Sequence, residues 1–159
     1  MSAVKIKIKK NPNGDSRTAP KDISYEKFQE ANSMHMCDVY SVMFRLSEKI
    51  IQAGRQHDYT KKTHEKLFYD NFISTMNEGT DFVNDEWYQL HIANERHHLL
   101  SKCPEDVNLI DVIEMIVDCV CAGRARSGEV RDIEINDEIL RKALSNTVKM
   151  IDEMIVVED

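Results

Sequence analysis

The chain has 159 residues, 42% of them apolar and 31% charged, with only five glycines and three prolines. That length gives one domain room for a core, and the mix suits a helix-rich protein better than a β-sandwich or a disordered chain. A net charge of −7 argues against wrapping polymeric nucleic acid, which needs clustered cations, but leaves room for a small phosphorylated ligand met by a local basic pocket.

Val4, Ile6 and Ile8 alternate with Lys5, Lys7 and Lys9, the period-two pattern of a half-exposed strand whose edge is guarded by lysine. Asn11-Pro12-Asn13-Gly14-Asp15 reads as a turn and Ser16–Lys21 as a loop. Residues 1–21 are thus expected to be an extension ahead of a single helical domain over 22–159. The opening alternation is unlike a signal peptide, and no apolar run approaches the ~20 residues that span a bilayer. Cys37, Cys103, Cys119 and Cys121 form no Cys-x-x-Cys pair. They read as reduced thiols, so the cytoplasm is the expected compartment (a host's, if the chain is phage-encoded).

The spacing predicts a long amphipathic helix from about Ser24 to Ala53, with Phe28, His35, Val39, Val42, Leu46 and Ile50 close together at 100° per residue. His35 therefore falls on the apolar face, where a histidine is either a satisfied core residue or a ligand. Gly54 is expected to end this helix, and Gln56-His57-Asp58-Tyr59-Thr60-Lys61 follows. A second helix is predicted over His64–Met76, with Leu67, Phe68, Phe72 and Ile73 inside and His64 in solvent. A third, over Asn84–Leu100, would carry His91, Asn94 and His98 on one stripe, with Trp87 one turn earlier and His97 at its edge.

The fourth predicted helix, Leu109–Gly123, is apolar around nearly its whole circumference, yet Asp111, Glu114 and Asp118 form one acidic stripe along it. Carboxylates on a buried helix require cations, metals or hydrogen-bond donors opposite them. The plain alternative is that they pair with Arg124, Arg126 or a lysine. Arg124 and Arg126 are expected in a short cationic loop that answers the helix dipole or meets a phosphate. Asp132–Ile135 alternates and is a candidate partner for the first strand. Asn136 caps a final helix carrying Ile139, Leu140, Ala143, Leu144, Val148, Ile151 and Ile155, either structural or a homodimer contact.

Five of the six histidines, with Asp58 and Asp118, are thus candidates for one metal site. Their order, His35, His57-Asp58 with Lys61, His91, His97-His98 and Asp118, resembles the HD-domain metal-dependent phosphohydrolase superfamily, whose signature is His…His-Asp…Asp. The resemblance covers Met34 to Asp118, about half the chain. It implies an all-α, HD-like bundle of about five main helices, with His35, His57, Asp58 and Asp118 holding a first metal. The extra histidines are similar to the binuclear HD-GYP branch, where further histidines serve additional metal positions; His91, His97 and His98 match these, and Lys61 matches the lysine of His-Asp-x-Gly-Lys. Thr60 stands where that motif has glycine, no Gly-Tyr-Pro follows the His-His pair, and His91 precedes that pair by only six residues, so cyclic-dinucleotide specificity does not carry over. The pattern is closer to small HD-like proteins of phages and bacteria with a His-x5-His-His helix and a Glu-Met-x-x-Asp helix, and there Asn94, Glu114 and the Arg124 region belong to the resemblance.

The expectation is hydrolysis of a small phosphorylated substrate, with a nucleotide as the leading candidate. One or two divalent transition ions (Mn, Fe, Zn, Ni or Co) would activate water. Asp58, Lys61 and Glu114 are the candidate catalytic residues; Lys61, Asn94, Arg124 and Arg126 are the candidate substrate contacts. The rivals are an HD-like module that binds metal or nucleotide without turnover, an HD-fold di-iron oxygenase, and a helical interaction protein whose histidines are core residues. No membrane partner is expected.

Overall fold

Helix accounts for 67% of the described residues, as composition and periodicity predict. The computed structural model describes residues 4–130 and 132–158. In chain order the elements are β1 (Ile6–Lys9), α1 (Tyr25–Gln56), α2 (Tyr59–Thr63), α3 (Glu65–Glu78), α4 (Glu86–Asn94), α5 (Leu109–Ser127), α6 (Asp137–Met154) and β2 (Ile155–Glu158). No described helix is long and apolar enough to cross a membrane. The four cysteines are free. The chain divides into two compact units, Met1–Lys49 with Val148–Asp159, and Ile50–Thr147.

In the first unit β1 pairs in parallel with β2, Ile6 opposite Ile155 and Ile8 opposite Val157. The isoleucines of β1 are half-buried and its lysines exposed, as the alternation predicts. The partner is not Asp132–Ile135, which is not a strand among the described residues. Ile133 and Ile135 pack instead on the core of the second unit. Period-two alternation records that one side of an extended segment is buried; it does not say that the backbone is paired. The predicted turn forms, with Asn11 Oδ1 accepting from the Asn13 N–H at 3.1 Å. Gly14 lies against the buried Ala31 of α1, where an added Cβ would meet the alanine methyl at 3.4 Å.

In the second unit Leu99, Val107, Val112, Met115 and Ala143 form the core, joined by Cys103, Leu109, Cys119, Ile139 and Leu140. A second apolar group stands beside α4. Trp87, almost fully buried, stacks on Phe68 of α3 at 4.0 Å between ring centroids and on His91 at 4.7 Å. Of the four residues expected inside α3, Leu67, Phe68 and Ile73 are half-buried and Phe72 is exposed. On α5, Val112 and Met115 are buried but Ile113, Ile116 and Val117 are exposed, so this helix buries one side, not its whole circumference.

The helix ends differ from those predicted, for local reasons. Gly54 does not stop α1, which runs on to Gln56; the chain turns at Asp58, where φ is +56°. The third predicted helix stops at Asn94, six residues early, because Glu95 adopts extended backbone. Its side chain is held by α2, where Oε1 accepts from the Thr60 N–H at 2.8 Å and from Thr60 Oγ1 at 2.6 Å. The next residue, Arg96, is drawn to Asp111, with Nε and Nη2 donating to the two carboxylate oxygens at 2.7 and 2.8 Å. Asp111 also completes a capping box with Asn108 at the start of α5. That helix continues through Gly123 to Ser127 and ends at Gly128, φ +75°. Arg124 and Arg126 thus sit in its last turn, not in a loop.

Candidate metal centre

Asp58 occupies the middle of the site and is the only described non-glycine residue with positive φ. Left-handed backbone costs a residue with a Cβ roughly 1–3 kcal/mol, and such strain gathers at functional positions. Aspartate bears it better than most residues. In this pose Asp58 Oδ1 lies 3.4 Å from His91 Nε2 and 3.6 Å from His97 Nε2. Oδ2 accepts from Lys61 Nζ and stands 3.4 Å from His57 Nε2. Asp118, from α5, brings Oδ1 to 3.5 Å from His57 Nε2.

Two overlapping groups able to hold a metal ion result: Asp58, His91, His97 and His98, and His57, His97 and Asp118. Within each group the ligating atoms lie within 4.8 Å of one another. The imidazoles converge through Nε2. On their other edge, His57 Nδ1 is 3.0 Å from Glu114 Oε1 and His97 Nδ1 is 3.2 Å from the same oxygen. Only the His57 contact has hydrogen-bond alignment. His91 Nδ1 is 2.6 Å from Thr60 Oγ1. His91 Nε2 and His98 Nε2 approach to 2.7 Å.

The donor set fits a divalent transition ion, for which neutral imidazole and carboxylate are suitable ligands. Asp58 Oδ1 and His97 Nε2 are buried without a hydrogen-bond partner. Such atoms are costly to leave unpaired in a protein interior, and here both belong to the same ligand group. Burial, followed by the neighbouring His98, brings His91 down to about 4. Burial and then His97 do the same to His98, also about 4. Both rings are therefore neutral near pH 7, with a lone pair to give. Burial opposes protonation of His97 too, but Glu114, Asp58 and Asp118 outweigh it and its pKa is raised. Burial would raise Asp58 and Glu114; Lys61 chiefly holds the first below the ordinary value, and His97 with His57 the second.

A cleft of about 310 Å³ opens on the His91 side, lined by Asp58, Lys61, Phe68, Phe82, Trp87, Tyr88, His91, His98, Asp118, Ala122 and Arg126. A second pocket, about 250 Å³, is lined chiefly by aliphatic groups of Ile50, Ala53, Ile110, Ile113 and Val117, with His57, Glu114 and Asp118 at its polar end.

Of the residues singled out from sequence, His57, Asp58, His91, His97, His98 and Asp118 come together, Glu114 backs them, and Lys61 and Arg126 line the cleft. His97 and His98 do so from the non-helical segment after α4, not from the helix itself. His35 is exposed on α1, not buried on an apolar face, and is in neither group. Asn94 is exposed and its Nδ2 donates back to the Leu90 carbonyl at 2.7 Å. Arg124 Nη1 donates to the Gly128 carbonyl at 2.7 Å, an end-of-helix contact. Asp111 does form a salt bridge, but to Arg96 and not to Arg124, Arg126 or a lysine. His64 is exposed as expected. Sequence reasoning missed Thr60 and Glu95. The available signal was the spacing of Glu95, four residues after His91 on a predicted helix.

Compared with protein-family models, with curated proteins and with solved structures, the chain matches none.

Proposed function

We propose that this chain is an HD-type metal-dependent phosphohydrolase acting in the cytoplasm on a small phosphorylated substrate, a nucleotide first among candidates. The observation that carries the proposal is the meeting of four histidines and two aspartates, two of whose ligating atoms are buried and unpartnered, at a cleft that also contains Lys61 and Arg126. His91, His98 and Asp58 would hold one ion and His57 and Asp118 a second, with His97, whose Nε2 has a single lone pair, completing one of the two sets. When bound, such an ion supplies Lewis acidity toward a phosphoryl oxygen and lowers the pKa of water. Lys61 and Arg126 receive the phosphoryl oxygens and offset their developing charge. Glu114 holds His57 by its Nδ1 edge, so that Nε2 faces Asp58 and Asp118. Phe82 and Tyr88, on the cleft wall, give a planar base an aromatic surface.

The test is metal analysis of protein purified without chelator, followed by phosphate release from a nucleotide panel with added Mn²⁺. Stoichiometric metal and a turnover lost in Asp58→Ala are expected. Protein that takes up no metal under any condition overturns the proposal. The aliphatic pocket at His57 and Asp118 favours a second reading, oxidative chemistry at two irons on an apolar substrate. Iron-loaded protein that consumes oxygen and releases no phosphate would select it.

A further inference from the structure

One pair of buried polar residues near the centre is used by none of this chemistry. Thr60 is 1% exposed and Glu95 5%. Glu95 Oε1 accepts twice from Thr60, from its backbone N–H at 2.8 Å and from its hydroxyl at 2.6 Å. The Thr60 N–H lies in the first turn of α2, where the helix itself offers no acceptor. Thr60 Oγ1 is also 2.6 Å from His91 Nδ1. A hydroxyl has one proton, and a carboxylate can only accept. Once that proton lies on Glu95, the Thr60 oxygen can only accept from the imidazole. His91 must then carry its proton on Nδ1, leaving the Nε2 lone pair toward His98 Nε2, 2.7 Å away, and Asp58 Oδ1, 3.4 Å away. Glu95 Oε1 itself is 4.0 Å from His91 Nδ1, too far to hold the ring directly. The stack of His91 on Trp87 fixes the ring plane but not its tautomer.

We propose that Thr60 and Glu95 are positioning residues, a hydroxyl relay from a buried carboxylate that holds His91 as an Nε2 metal ligand. The relay gives a physical reason for threonine where the resembled motif has glycine: glycine could supply the N–H to Glu95 but not the hydroxyl to His91. This inference rests on the metal-centre reading, but its first measurement does not require metal.

Long-range ¹H–¹⁵N correlation of the imidazoles in metal-free wild type, at mildly alkaline pH where histidine is neutral, reads the His91 tautomer directly. The Nδ1–H form is expected in wild type and in Thr60→Ser, and a mixture in Thr60→Val. A predominant Nε2–H form in wild type overturns the relay whether or not metal binds. Calorimetric titration with Zn²⁺ then gives the second readout. Thr60→Val should bind about 10–100-fold more weakly, the usual cost of losing an outer-shell partner, and Thr60→Ser should recover most of that loss. A folded Thr60→Val with wild-type affinity overturns the relay. Wild type that keeps the Nδ1–H form but binds no metal overturns the metal centre instead. Should Thr60→Val fail to fold, wild type and Thr60→Ser decide the matter through the tautomer.

Discussion

The backbone at Asp58 and its side chain make different demands, and substitutions can separate them. Asparagine adopts left-handed backbone about as readily as aspartate and has nearly the same shape, so Asp58→Asn keeps the turn between α1 and α2 while removing the charge that faces three histidines. Far-UV circular dichroism should match wild type, and metal affinity should fall by more than the roughly 10–100-fold that outer-shell changes cost. An unchanged affinity would remove Asp58 from the centre. Glu114→Gln tests the second layer. An amide can accept from His57 Nδ1 but brings no negative charge to His97, so affinity should fall within about that 10–100-fold range. At this scale the sequence is informative where a candidate ligand's identity is its chemistry: His57, Asp58, His91, His97, His98 and Asp118, the groups able to hold a metal ion, are legible as residue types. Thr60 and Glu95 were not, because threonine and glutamate are ordinary on any helix and only the fold brings them 2.6 Å apart. Resemblance alone makes His35 a ligand, and its helical face does not fix what that face meets.

Between elements, the link from α4 to α5 depends on Arg96. Its guanidinium forks onto Asp111, whose carboxylate is almost fully buried while also accepting from the Asn108 N–H at 2.8 Å. Removing the cation leaves that carboxylate buried beside the helix start with one donor. Arg96→Ala should cost about 2 kcal/mol or more, below the 3–5 kcal/mol of a fully buried pair because Arg96 is itself partly exposed. Urea denaturation should show a lower midpoint with an unchanged slope. Lysine at this position should restore only part of the loss, since a point charge cannot make the two-pronged contact. Arg96 also explains why helix positions were easier to predict than their ends. The predicted α1, α3, α5 and α6 exist because apolar spacing is local. The early stop of α4 depends on the partners of Glu95 and Arg96, at Thr60 and Asp111, which are distant in sequence. Exposure escaped for a related reason. Val39 and Ile50 share the predicted face of α1 yet are 48% and 41% exposed, because periodicity groups residues on a face without naming what covers it.

For the whole molecule, gathering so many titratable groups makes stability depend on pH, and the direction follows from which state binds more protons. His91 and His98 titrate near 4 in the folded protein against about 6.5 unfolded. Between about pH 6.5 and 4 the unfolded chain therefore holds more protons at these two positions, and metal-free protein loses stability as pH falls through that window. Asp58 and Glu114, both held below their ordinary values, extend the loss on the acid side. His97 works in the opposite sense. Its raised value contributes stability that is fully present below about 6.5 and is lost as pH rises through the folded value. Two depressed histidines against one raised make the acid loss the larger. Melting temperatures of chelator-treated protein should accordingly drop from near neutrality toward about pH 4.5. Saturating Zn²⁺ or Mn²⁺ should raise the melting temperature at neutral pH, through a stabilisation of about 2.7 kcal/mol at a hundredfold excess over Kd. Protons compete for the same nitrogens, so this increment should shrink toward zero over the same acid range. A metal-induced stabilisation as large near pH 4.5 as at neutrality would place the ion on ligands other than these histidines.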